Sequence, residues 1–471
     1  MKMRFFTILL ISVLSLQLNA QQDYFKNHAL ISDIYIFGNK TTQELIILRE
    51  LPFKEREIID MDKIDNLLTQ GKNNLINLSL FNFVYVTYQV LEGRGRFGLP
   101  EVKIVIDLEE RWYYWPRVDI NLGDRNLSNW LKDPRWDKVT YNVGFKIYNL
   151  FGYNQSLSLM YTFGYQNGFR INYDNITIGG KGEHFLDLSI SGLYMKMENV
   201  ISENNEPYYL RIDDKYLTRR ESYKITYTYR PKLRLLNTFS IEYENKRIEQ
   251  EVLNRNPDYW GGDNLKREGF YVGYNFISDQ RDNIQYPLHG YYINAGMKAY
   301  TDFSSSLVYS RVTGDFRYYN NFSGRWGYAA RLSVGASIKN EDAYIFDRAI
   351  GYDNVSLRGY EYYVVDGQHY ITLNPSLRYN IIPPIVVNLN FLPLTKFKKA
   401  HFAMYGKIFF DTGYVFHNNP SPLNNLANKF LFSYGAGIDM VTYYDITLSF
   451  DYSFNQYFKN GFYISVKSPI L

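Results

Sequence analysis

The feature that most limits what this chain can become is a two-residue alternation that returns again and again after Arg111. In "VTYNVGFKIYN", Val139, Tyr141, Val143, Phe145 and Ile147 fall on one side and Thr140, Asn142, Gly144, Lys146 and Tyr148 on the other. "YKITYTYR" sets Tyr223, Ile225, Tyr227 and Tyr229 opposite Lys224, Thr226, Thr228 and Arg230. "ITLSFDYSF" sets Ile446, Leu448, Phe450, Tyr452 and Phe454 opposite Thr447, Ser449, Asp451 and Ser453. Successive side chains of a strand point to opposite faces, so each segment is a strand with one apolar and one polar face. Segments of about ten residues that keep one face polar over many repeats mark a membrane barrel rather than a soluble sandwich. In lipid a sheet cannot leave edge N–H and C=O groups unpaired, so the strands must close on themselves.

Strands are expected near 112–122, 139–149, 156–165, 169–178, 185–197, 221–230, 237–248, 268–279, 290–301, 305–320, 324–338, 369–381, 400–414, 430–441, 444–455 and 460–469. That makes sixteen, an even number as a single-chain bacterial barrel requires. The 46 tyrosines then find a place at the membrane–water interfaces, where a ring sits in the apolar layer with its hydroxyl in water. With no cysteine in the chain, disulfide frameworks and thiol chemistry are excluded. The net charge is +4, and +2 without Lys2 and Arg4, so nucleic acid is not an expected partner.

The chain opens on "MKMRFFTILLISVLSLQLNA", in which Lys2 and Arg4 precede an apolar run from Phe5 to Leu16 and a small residue at Ala20. This is the pattern of a secretory signal peptide over residues 1–20, and about a dozen apolar residues are too few to span a bilayer. No cysteine follows that cleavage point, so a lipoprotein is not expected. Residues 21–29 read as a short N-terminal extension. Residues 30–110 form a different unit. "ISDIYIFGNK" alternates and turns at Gly38-Asn39, and Thr41 followed by Glu44 predicts a capping box at a helix start. "MDKIDNLLTQGKNNLINLSLF" places Ile64, Leu67, Leu68, Leu75 and Ile76 near one helical face. "FVYVTYQVLEG" and "EVKIVIDLEE" complete a β-α-α-β-β order.

Three stretches break the monotony of the strands. "SDQRDNIQYPLHG", with Asp279, Arg281, Asp282, Asn283, Pro287 and Gly290, lies between the eighth and ninth strands and reads as a polar turn held by Asp and Asn hydrogen bonds, not as acid–base machinery. "SLRGY", with Arg358, Gly359 and Tyr360, lies in the long connection 340–368 after the eleventh strand. "FFDTG", with Phe409, Asp411 and Gly413, lies on the thirteenth.

Together with the N-terminal unit, these stretches resemble the BamA/TamA superfamily of outer-membrane insertases and translocators, in a member with a single POTRA domain. The resemblance covers essentially the whole mature chain, although Leu357 stands where the family usually has valine and Leu471 where many barrel proteins end in an aromatic. It implies an all-β, 16-stranded antiparallel transmembrane β-barrel over residues 111–471, preceded by a small α+β POTRA domain over 30–110. It also implies that the loop after the eleventh strand folds into the lumen, where Arg358 pairs with Asp411, Gly359 and Gly413 permit close approach and Phe409 supplies the motif aromatic. Implied partners are client polypeptides, either unfolded outer-membrane or secreted proteins, together with the lipid bilayer and accessory lipoproteins. The implied location is the outer membrane with the POTRA domain in the periplasm.

Enzyme signals are missing. The six histidines have no metal-ligand spacing, no G-x-S-x-G elbow appears, and no glycine-rich phosphate loop precedes a helix, so neither catalysis nor a cofactor or metal is expected. Room for only one POTRA domain leaves open whether this is the principal assembly machine or a narrower paralogue. The alternatives are a passive porin-like channel, against which the N-terminal domain and the loop motif argue, and a two-partner-type secretion pore. Such pores carry a plug helix for which residues 21–30 leave no room. Two points stay open at this stage: which POTRA edge accepts a client, and whether Gly461 and Pro469 weaken the last strand or merely end it.

Overall fold

The computed structural model describes residues 27–91, 99–121, 134, 136, 139–179, 182–303, 307–352, 355–388, 399–442 and 446–467. The expected signal peptide, Pro469 and Leu471 lie outside the described residues. The chain divides into two units, one built on the residues up to Trp112 and one on those from Tyr113 onward.

In the first unit, β1 (His28–Phe37) is followed by a short helix, Glu44–Leu48, then β2 (Ile58–Asp60), a helix over Ile64–Asn77, β3 (Phe81–Leu91) and β4 (Glu101–Glu110). The sheet order is β2-β1-β4-β3, with β1 and β4 parallel. Strand β2 was not foreseen; three residues are too few to show an alternation. The longer helix packs Ile64, Leu68 and Leu75 onto the sheet, while Leu67 and Ile76 are half-buried. Since β1 is flanked on both sides, the long edge is β3, which pairs only with β4 among the described residues.

The capping box is not formed. The short helix begins after Gln43 with no side-chain cap. The backbone N–H groups of Thr41 and Thr42 and the Thr42 hydroxyl instead donate to the Glu110 carboxylate, at 2.7 Å for the last two. The buried Glu110 carboxylate of β4 takes all three donors at once, where the Glu44 carboxylate of a capping box takes only the Thr41 N–H.

The second unit is a 16-stranded antiparallel barrel. Its strands are β5 (Tyr114–Asn121), β6 (Thr140–Leu150), β7 (Gln155–Gly164), β8 (Gln166–Ile178), β9 (His184–Met195), β12 (Thr218–Lys232), β13 (Leu235–Ile248), β14 (Lys266–Asp279), β15 (Gly290–Asp302), β16 (Val308–Ser323), β17 (Trp326–Lys339), β20 (His369–Asn388), β21 (Lys399–Phe416), β22 (Phe430–Val441), β23 (Thr447–Asn455) and β24 (Asn460–Lys467). Consecutive barrel strands pair throughout; the end with the longest connection, residues 340–368, is the long-loop end, and the other, which carries the tight β12–β13 and β16–β17 turns, is the short-turn end. Two small hairpins, β10 (Met197–Glu203) with β11 (Glu206–Arg211) and β18 (Arg348–Ile350) with β19 (Val365–Asp366), decorate the long-loop end.

The alternation read from the sequence sorts side chains as expected. Val143, Phe145, Tyr223, Ile225, Ile408, Phe410 and Tyr452 are exposed on the outer wall, where lipid rather than water is the solvent. Thr447, Ser449, Asp451 and Ser453 are buried on the inner side of β23. No helix among the described residues is long and apolar enough to cross a membrane. The sheet order begins at β24 and ends at β5, and no strand pairing joins these two among the described residues.

Candidate functional site

The connection between β17 and β20 starts with a 3-10 turn at Tyr344–Phe346 and forms the β18–β19 pair, and the residues between these two short strands dip inward. Leu357, Tyr360, Val365, Val415 and Leu431 bury one another there, giving the loop an apolar seat on β21 and β22. That seat delivers Arg358 to Asp411 on β21.

The guanidinium meets the carboxylate two-handed: Nε donates to Oδ2 at 2.9 Å and a terminal nitrogen donates to Oδ1. The Arg358 backbone N–H also donates to Oδ2, at 3.0 Å. The guanidinium lies 3.8 Å from the Phe409 ring centre and donates to the Pro375 carbonyl at 3.3 Å. The Asp411 side chain is fully buried, and Arg358 faces it as counter-charge. Paired donors on a planar fork fix direction as well as distance.

The glycines act by omission. Gly359 has φ +84°, which a side chain rarely tolerates, and a Cβ there would stand 3.0 Å from the Ser433 Cβ. A Cβ on Gly413 would come within 2.8 Å of Leu357. Tyr360 is buried and its hydroxyl donates to the Phe432 carbonyl at 3.3 Å.

Several participants were not foreseen. Asn455 on β23 donates to the Gly359 carbonyl at 3.1 Å, and Tyr362 lies against Tyr463 of β24 at 5.5 Å between ring centres, so the loop reaches the last strand. Glu361 accepts from the Gly359 N–H at 2.7 Å, and burial, reinforced by Asp451 and Asp411, pushes its carboxyl up to about 8. Below the loop, Lys407 of β21 binds Asp439 of β22 at 2.7 Å and Asp451 of β23 at 2.8 Å. Their inward parity was legible in the sequence; their convergence needed the register.

The turn after β14 lies at the opposite end of the barrel from this loop. Arg281 grips Asp279 with two hydrogen bonds of 2.7 and 2.6 Å and donates to the Ile284 carbonyl at 3.1 Å. Asp282 accepts from the N–H groups of Asn283 and Leu288, and Asn283 from those of Gln285 and Tyr286. The Pro287 carbonyl accepts from Arg378 at 3.3 Å. Gly290 has φ +101°, and a Cβ there would overlap the Gln280 carbonyl oxygen. The motif residues are therefore engaged in holding the turn. Among the described residues no cluster of His, Asp or Glu forms a metal site.

A barrel of sixteen strands with a loop arginine clasped to its inner wall, joined to a small α+β domain, defines an outer-membrane β-barrel of the POTRA-bearing class. A family model described as the Omp85 superfamily domain matches residues 149–466, and one described as POTRA, surface antigen variable number repeat, matches residues 29–111. The chain belongs to the Omp85 superfamily.

Among solved structures, BamA from Haemophilus ducreyi lacking POTRA domains 1–3 is similar at 14% identity and a TM-score of 0.51, over 93% of this chain and 83% of that one. CdiB from Escherichia coli is similar at 12% identity and a TM-score of 0.51, over 93% of this chain and 75% of that one. At these identities the likeness is one of fold. No curated protein matches the chain.

Proposed function

We propose that this protein inserts or translocates client polypeptides at the outer membrane without covalent chemistry, exported by a signal peptide over residues 1–20 and with residues 30–110 in the periplasm. A client segment adds to the β3 edge through main-chain hydrogen bonds, the mode of recognition an exposed sheet edge offers. It then meets the seam between β5 and β24, where an opened edge can template its strands. The clasped loop holds the wall beside that seam in one geometry. Such a pair acts chiefly by holding position and adds little net stability.

The observation that carries this reading is the seam itself: sixteen strands pair in sequence while no rung joins the first to the last among the described residues, and the inward loop is anchored on the strands next to it. Accessory lipoproteins would dock on the periplasmic side.

The test is depletion of the protein followed by quantitation of the outer-membrane proteome, with a variant lacking residues 30–110 as the comparison. Loss of one or more outer-membrane or secreted proteins, reproduced by the truncated variant, supports the proposal. An unchanged proteome, with ion conductance retained by the truncated variant, would make the protein a passive channel.

A further inference from the structure

The turn between β14 and β15 does more than reverse the chain. Its roots sit on β15, and β22 lies five strands away in the sheet order, roughly 24 Å along the wall at about 4.8 Å per strand. Tyr286 nonetheless donates its hydroxyl to Asp439 of β22 at 3.1 Å. Its ring stacks on Tyr405 of β21 at 4.5 Å, and the Arg378 guanidinium of β20 lies 4.9 Å from its centre. A turn resting on the rim above its own strands could not reach these partners, so the segment must cut across the lumen as a chord.

The motif residues explain how ten residues hold such a pose. Arg281 spends its side chain on the Asp279 carboxylate and the Ile284 carbonyl, Asp282 and Asn283 spend theirs on neighbouring backbone N–H groups, and the Arg281 carbonyl accepts from Arg234 at 2.8 Å. Tyr286 is then presented from a stiff base. Burial raises its phenol well above the usual range, which keeps the hydroxyl protonated and donating. Asp439 also binds Lys407, so the turn joins the ionic knot beneath the loop of Arg358.

We propose that the segment Gln280–His289 is a second clasp that crosses the periplasmic mouth of the barrel, with Tyr286 as its positioning residue on β20, β21 and β22. It rests on the reading that the short-turn end faces the periplasm. Paired with the loop of Arg358, it closes the lumen from the opposite end.

The test is single-channel recording of the purified full chain in planar bilayers without any client, so its outcome is independent of insertion activity. Tyr286→Ala should raise conductance or open time severalfold, and Tyr286→Phe, which keeps the stacking and loses the hydrogen bond, should restore most of the closed behaviour. A folded Tyr286→Ala protein that conducts like the parent overturns the proposal. Should Tyr286→Ala not fold, Ile284→Cys supplies a second measurement, because the chain has no other cysteine and this side chain is exposed. A charged thiol reagent added from the short-turn side should change the current if the turn lies in the lumen. An unchanged current on labelled protein refutes it.

Discussion

The first and last strands of the barrel have the same backbone pairing and differ in what holds their inner faces. On β5 to β9, polar side chains meet a direct neighbour: Asp119 with Asn142 at 3.3 Å, Asn142 with Thr162 at 2.7 Å, Asn172 with Ser189 at 2.7 Å. Each bond spans one strand gap and is neutral or carries one charge. On β20 to β24 the inner face is tied by Arg358 to Asp411, by Lys407 to two aspartates on two different strands, and by inserts from both ends of the barrel. A ladder of neighbour bonds yields one rung at a time, whereas charge-assisted ties that share partners make several strands behave as one block. Among the described residues, the seam therefore has one side braced by shared ionic ties and one side held by neighbour bonds.

Breaking the brace at its centre should have the largest effect. Arg358→Ala leaves the fully buried Asp411 without its counter-charge, a loss of about 3–5 kcal/mol for a buried pair broken on one side. Client insertion into liposomes should fall further than the amount of folded barrel on a heat-modified gel, and equal loss of both would make Arg358 a folding residue. Lys407→Ala should come next, at about 3 kcal/mol, because it strands Asp439 and Asp451 together. Denaturant unfolding followed by hydrogen exchange should place the loss on β21 to β23 and leave β6 to β8 protected.

An effect is expected from pH as well. The folded Glu361 carboxyl sits at about 8 against an ordinary 4.5, so the folded state holds the proton more tightly. Loop docking is then fully supported below about 4.5 and weakens as pH rises through about 8, where burial of a charge beside Asp411 and Asp451 is demanded. Proteolysis of the loop should speed up across that window in the parent and lose the dependence in Glu361→Gln. The smallest effect, about 1 kcal/mol, is expected for Asn142→Ala, which removes two neutral or singly charged neighbour bonds. A loss as large as that of Lys407→Ala would erase the distinction between the two sides.

The local grammar of the chain was enough for the strands, because a two-residue period is visible in any ten residues and needs no knowledge of partners. It was also enough, through the resemblance of "SLRGY" and "FFDTG" to a known pair, to bring Arg358 and Asp411 to one place. It failed where a local carboxylate competed with a distant one: the Thr41–Glu44 cap lost to Glu110, sixty-nine positions away from Thr41. It was silent on β2 and on the identity of the sheet edge, since order in a sheet is not written in any one strand.

What the sequence by itself determined is a run of sixteen two-faced strands behind a small α+β unit, together with the residue pair that anchors the inward loop. Which inner-face residues meet was decided only by closure and register. Lys407, Asp439, Asp451, Tyr286 and Tyr463 come from different strands and turns and converge because the wall curves back on itself. Periodicity says which way a side chain points, and only the assembled barrel says what stands across from it.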